Sequence, residues 1–231
     1  DPNDVESTTS VHDLDRWILS ELHQLILEVT QLLEEYNPTD AGRRIEEFVD
    51  SLSNWYVRRS RPRFWKPVLN RSSEPSEHTG SDEDKLSAHR TLYTCLSTLS
   101  RLLAPFTPFV ADELYQNLVR SVDTDAPESV HLDDWPIGND TLVDRDLSDG
   151  MRLAMRVASM GRAARSKAGI RVRQPLGKIL VKVRSPQEFA AMIRLSSQVT
   201  DELNVRTIEE LENEETVARF SVRANTKLLG P

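Results

Sequence analysis

From Leu14 to Tyr36 the apolar residues recur at steps of three and four: Leu14, Ile18, Leu22, Leu25, Val29, Leu32, Leu33 and Tyr36. That spacing tracks one side of a 3.6-residue helix and cannot be laid along one face of a strand. It predicts a long amphipathic helix over about 13–36, whose apolar stripe must be covered by other helices. Asn37-Pro38 ends it and opens the next, with Asn37 as cap and Pro38 at the first helical position, where a missing N–H costs nothing. The second helix continues through Ile45, Phe48, Val49, Leu52, Trp55 and Tyr56.

A third helix is expected over about 83–104, with Leu86, Leu92, Leu96, Leu99 and Leu103 inward, stopped by Pro105. Thr107-Pro108 restarts a fourth, with Val110, Leu114 and Leu118 inward. Thr141 and Asp144 resemble a capping box that opens a fifth, running to about 168 with Leu147, Met151, Ala154, Ala158 and Gly161 on one face. Residues 67–82 (PVLNRSSEPSEHTGSD) read as a surface loop, and 121–140 as an acidic connection. The fold class that follows is mainly α, an antiparallel helix bundle over 1–176.

After Gln174-Pro175 the period changes to two. Ile179, Val181 and Val183 alternate with Lys178, Leu180 and Lys182, a half-buried strand. A short helix from Pro186 and two further strands, VRTIEEL and ARFSVRA, complete a small α+β subdomain over 177–231, which we expect to be cut short at its C-terminus.

The sequence excludes several kinds of chemistry. The single cysteine, Cys95, cannot form an intramolecular disulfide or the multi-cysteine zinc sites, and its apolar helical surroundings predict a buried thiol and a reducing, cytoplasmic setting. His12, His23, His78, His89 and His131 show no metal-ligand spacing. Acid pairs such as Asp133-Asp134 sit near helix starts, where the helix dipole favours them. GRAARSKAG at 161–169 falls on a helix and not after a strand, so it fails the test for a phosphate loop. No catalytic residue, metal or cofactor is assigned, and no apolar run is long enough to cross a membrane. The start without methionine suggests a piece of something longer. A monomer is expected, because every amphipathic helix has a partner within the bundle.

The net charge of −8 argues against a polyanion partner until its distribution is considered. Of the 29 lysines and arginines, 15 lie in 51–70 and 151–184, two segments with no acid. Local segregation of this kind matters more for polyanion binding than the total. In the first segment, SNWYVRRSRPRFWK, Arg58, Arg59, Arg61, Arg63 and Lys66 are interleaved with Trp55, Tyr56, Phe64 and Trp65. Guanidinium groups grip phosphates and stack on flat faces, so the arginines are candidate RNA contacts, while the aromatics are read chiefly as core. The second segment contributes Arg162, Arg165, Lys167, Arg171 and Arg173, away from a small-residue face.

With these residues in view, the chain resembles the isoleucyl-tRNA synthetases, in the region after their class I catalytic core. DRWILSEL at 15–22 resembles the start of the helical anticodon-binding domain shared by the isoleucine, valine and leucine enzymes, and SNWYVRRSRPRFW resembles the isoleucine branch. LAPFTPFVADELYQNL, SVHLDDWP and ARSKAGIRVRQPL follow in the same order. The resemblance implies an anticodon-binding piece of a ligase that joins isoleucine to tRNA(Ile) with ATP and magnesium. The HIGH and KMSKS motifs and the editing domain are absent, so this piece is not expected to catalyse by itself. Its implied partners are tRNA(Ile) and the catalytic domain of the same polypeptide. The same domain from a valyl or leucyl enzyme, and a helical protein-binding scaffold, remain as rival readings of the residues.

Overall fold

The computed structural model describes residues 12–65 and 79–211, with side chains in the third long helix described from residue 82. The expected strand ARFSVRA lies outside the described residues, as do most of the loop 67–82 and Lys66. The fold is mainly α, with one small parallel sheet. The chain divides into two compact units, Asp1–Ser148 and Asp149–Pro231. The division falls within a helix, earlier than the change of period near 176 on which the sequence reading divides the chain.

In the first unit α1 spans Asp13–Glu34 and α2 Pro38–Ser51. Between them Tyr36 takes a left-handed φ of 58°, and the Asn37 side chain accepts the Asp40 N–H, so the predicted cap is the one used. The helix continues through a π-helical stretch, Leu52–Val57, into α3, Arg58–Phe64. α4 runs Thr79–Leu103, starting slightly before the expected boundary, and α5 runs Pro108–Tyr115. α6, Arg145–Lys167, passes from the first unit into the second.

Leu14, Trp17, Ile18, Leu22, Leu25, Ile26 and Val29 of α1 pack in a core with Ala41, Ile45 and Phe48 of α2, and Leu52, Trp55 and Tyr56. Each fully buried large side chain of this kind contributes roughly 1.5–3 kcal/mol through apolar burial. The expected α1 stripe therefore holds through Val29, while Leu32 and Leu33 are half-buried and Tyr36 is 93% exposed at the turn.

Two inward faces differ from expectation. In α4 the buried apolar residues are Ala88, Cys95, Leu99 and Leu102, so Leu99 faces inward as its spacing predicts, while Leu86 is exposed. The buried face thus mixes small residues with Leu99 and Leu102, and Leu92, Leu96 and Leu103 lie half-buried on its flanks. In α5 the interior positions are Ala111 and Tyr115, continued by Val119, whereas Phe109 and Val110 are exposed. These three form a small cluster with Val130. Asp112 anchors the connection 121–140 there by accepting hydrogen bonds from the Ser129 hydroxyl at 2.7 Å and the Val130 N–H at 3.0 Å. Both bonds favour the ionised carboxyl and lower its pKa.

Helix α6 opens three residues later than the Thr141 capping box predicts. Asp144 is the cap: its carboxylate accepts the Leu147 N–H at 3.0 Å, and its own N–H donates to the Ser20 hydroxyl at 2.8 Å. Residues 140–142 form a separate 3-10 turn.

At the start of α1, His12 caps the helix by accepting the Leu14 N–H on Nδ1. Burial first, and then the nearby Arg63 guanidinium, lower its pKa, outweighing the opposing pull of Asp15, Asp84 and Asp13. The unfolded chain therefore takes up a proton near 6.5 that the native state refuses, so stability falls as pH drops through that value. Burial lowers His23 in the same direction. We expect melting temperature to fall between pH 7.5 and 5.5, and a His12→Asn variant, which keeps a capping group, to flatten the decline. An unchanged pH profile in His12→Asn would remove His12 as its source.

In the second unit, β1 (Leu176–Val181) and β2 (Val205–Glu210) pair in parallel, with Ile179 opposite Ile208. A parallel pair needs a crossover, here supplied by α7 (Pro186–Arg194) and α8 (Ser196–Leu203). Leu147, Met151, Ala154, Ala158 and Gly161 are all buried along α6, as their spacing predicts.

Candidate nucleic-acid interface

The aromatic–arginine segment is sorted by helical phase. Trp55 and Tyr56 close the preceding π-helical stretch and are buried. On α3, Ser60 and Arg63 continue that buried side, while Arg58, Arg61, Pro62 and Trp65 form an exposed one. Arg59 and Phe64 lie half-buried on the flanks. A π-helical turn adds a residue to the helical count, so it sets the phase at which α3 emerges.

Arg63 is placed in the interior and not among the exposed arginines with which the sequence reading groups it. It is 5% exposed, and its guanidinium forms a two-pronged pair with Asp15, Nη1–Oδ1 2.6 Å and Nη2–Oδ2 2.7 Å. Its Nε donates to Asp84 at 2.8 Å. Asp15, fully buried, also accepts from the Tyr56 hydroxyl and the Ser87 hydroxyl, both at 2.8 Å. Carboxylate and guanidinium thus satisfy each other away from water, the condition under which a buried pair persists. The same desolvation, with Asp15 beside it, pushes the Tyr56 hydroxyl pKa up, so Tyr56 stays a donor.

Arg58 and Arg59 each stand 5.8 Å from the centre of the Trp55 ring, and Arg58 Nε donates to the Asn54 carbonyl at 2.8 Å. These contacts orient the two cations without burying Arg58. Phe64 meets His89 edge-on, 5.0 Å between ring centres. Trp65, expected to be structural with the other aromatics, is 83% exposed.

In the second unit α6 ends in a Schellman turn. Gly169, at φ 69°, donates to the Ser166 carbonyl, and Ile170 donates to Arg165. Here too one arginine is interior: Arg165 is 5% exposed. Its Nη2 donates to the carbonyls of Arg171 at 2.6 Å, Val172 and Gln174. The Asn204 side chain donates to the carbonyls of Val172 and Arg173, both at 3.1 Å. The carbonyls of 171–174 are thus held from inside, and the Arg171 and Arg173 side chains are exposed, with Lys167 exposed at the helix end. Arg162 is half-buried in an ion pair with Glu202.

The exposed set is therefore Arg58, Arg61 and Trp65 in the first unit, and Lys167, Arg171 and Arg173 in the second. The acid-free segments concealed the partners of Arg63 and Arg162, which come from distant parts of the chain. One signal could have revealed Arg63: with Tyr56 and Ser60 it completes a stripe at steps of four and three. Among the described residues no cluster of histidine, cysteine and carboxylate could hold a metal ion, and no helix is long and apolar enough to cross a membrane.

Residues 15–181 match the family model described as the anticodon-binding domain of tRNA ligase. This chain belongs to that family. The chain is 56% identical over 207 residues to an isoleucine–tRNA ligase of Dehalococcoides mccartyi strain CBDB1, covering 90% of this chain and 19% of that protein. Against the isoleucine–tRNA ligase of Thermus thermophilus it is 42% identical over 222 residues, covering 94% and 20%. Against that of Clostridium novyi it is 39% identical over 229 residues, covering 99% and 20%. The chain therefore spans about one fifth of the length of the relatives it matches.

Proposed function

We propose that this chain binds the anticodon side of tRNA(Ile) as one part of a cytoplasmic isoleucine–tRNA ligase. ATP, magnesium and the ligation itself belong to the remainder of that polypeptide. The observation that carries the reading is the exposed Arg58–Arg61 side of α3 in an anticodon-binding domain, on a helix whose opposite side is anchored by Arg63. The internally braced Arg171–Arg173 loop is a second basic element with the same chemistry. Exposed guanidinium groups neutralise phosphates and release counterions, so binding should weaken as salt rises, with a slope near 0.7 per phosphate on a single strand.

The test is binding of the 231-residue chain to a tRNA(Ile) transcript over a salt series, beside a tRNA(Val) transcript. The Arg58→Ala/Arg61→Ala variant is expected to bind about tenfold more weakly near physiological salt, with a log–log salt slope shallower by about 1.4 for two phosphates lost. Preference for tRNA(Ile) would place identity recognition in this domain. Equal binding by wild type and double variant across the series would sink the role given to α3.

A further inference from the structure

We propose that Trp65 is a stacking platform for one unpaired base of the bound RNA, with Arg61 and Arg58 holding the phosphates beside it. This rests on the tRNA reading above and adds to it a base contact and the class of RNA structure the site accepts.

The placement of the ring carries the inference. Arg58, Arg61 and Trp65 follow one another at steps of three and four, on the side of α3 opposite Ser60 and Arg63. From Arg58 to Trp65 the helix rises about 10 Å, short enough for a few nucleotides of one strand to span. Three of the segment's four aromatics are buried or half-buried in the bundle, and Trp65 alone of these four is turned out, at 83% exposure. A large ring left in water loses the apolar burial that would ordinarily hold it inside. Beside two exposed guanidinium groups, it offers a flat apolar face to a partner that is itself both flat and anionic.

An unpaired nucleotide has that combination of properties. In an A-form duplex the base faces are already stacked and the deep groove is too narrow for a side chain. RNA recognition through aromatic faces therefore targets loops and bulges whose bases can be splayed out. Stacking is tolerant of base identity, because every base has a π-face. Trp65 should consequently add affinity for an exposed loop nucleotide without selecting its sequence, and should leave the salt dependence to the arginines.

The experiment uses the 231-residue chain and tRNA(Ile) anticodon-arm RNAs carrying 2-aminopurine at successive loop positions. On binding, the fluorescence of one position should change in a stacking-dependent way. Trp65→Ala should abolish that change and weaken binding about tenfold, with the salt slope unaltered. Trp65→Phe should recover part of both, and Arg61→Ala should instead lower the slope. Because Trp65 is exposed, the substitutions should leave the melting temperature unchanged, which separates a lost contact from a lost fold. If Trp65→Ala binds as wild type with the same fluorescence response while the arginine variants still weaken binding, the stacking inference fails and the tRNA reading stands. Absence of salt-sensitive binding by the wild-type chain overturns both.

Discussion

Replacing Arg63 with methionine should destabilise the first unit by about 3–5 kcal/mol, the typical cost of leaving one partner of a buried ion pair unpaired. Methionine approximates the length of the side chain, so the loss falls mainly on the charge. Asp15 would remain fully buried, with the Tyr56 and Ser87 hydroxyl donors still in place but without the two prongs of the guanidinium. The double variant Asp15→Asn/Arg63→Met removes both charges and should recover much of the loss, because the pair's own net contribution is small once desolvation is counted. Chemical denaturation of wild type, both single variants and the double variant gives the coupling directly. Additive losses would show that Asp15 and Arg63 act independently, contrary to the geometry. Since α3 also carries Arg58 and Arg61 and is capped by Trp65, a folded but weakened Arg63 variant should lose RNA affinity as well.

The second large effect is expected at Gly161, in the second unit. A Cβ there would lie 2.4 Å from Cδ1 and 2.8 Å from Cδ2 of Leu203. Leu203 is 1% exposed, so its side chain must give way within the packed interior. For Gly161→Ala, a gain of about 1 kcal/mol in helix propensity opposes an overpacking cost of about 1–3 kcal/mol, so the net loss is modest. For Gly161→Val the propensity gain shrinks and two further methyl groups enter the same space, so a loss of about 3 kcal/mol is expected. Truncating the neighbour, as in Gly161→Ala/Leu203→Val, should restore part of the stability. Thermal melts that show Gly161→Ala more stable than wild type would mean that α6 and α8 separate more easily than their packing indicates.

Much of the fold was legible in the residues. The period of 3.6 gave α1, α2 and α6 with most of their buried faces, although Val49 of α2 is exposed, and Asn37-Pro38 marked the turn between the first two helices. Alternation at 178–183 gave β1. The α4 face is only partly as expected, with Leu99 inward and Leu86 outward, and the α5 face is displaced by one residue, from Val110 to Ala111. Spacing alone allows several phases, and the choice among them is made by whichever surface packs more closely against neighbours. The spacing of Thr141 and Asp144 pointed to Thr141 as the cap, and the hydrogen bonds from Leu147 and to Ser20 give that place to Asp144.

The candidate site divides in the same way. Sequence alone determined that cations were concentrated in two acid-free segments, that aromatics were interleaved with the first, and that the chain belongs among helical tRNA-binding modules. Only the tertiary structure decided which of those cations face water. Arg63 is drawn inward by Asp15, 48 residues earlier, and Arg162 is paired with Glu202, 40 residues later. Counting charge along a segment records neighbours in the chain, whereas the energy of a charge depends on its neighbours in space. Trp65 is the converse case. Its composition matches that of the buried aromatics beside it, but the helical phase set by the π-helical turn carries it to the surface, and no property of the residue itself could have told the two outcomes apart.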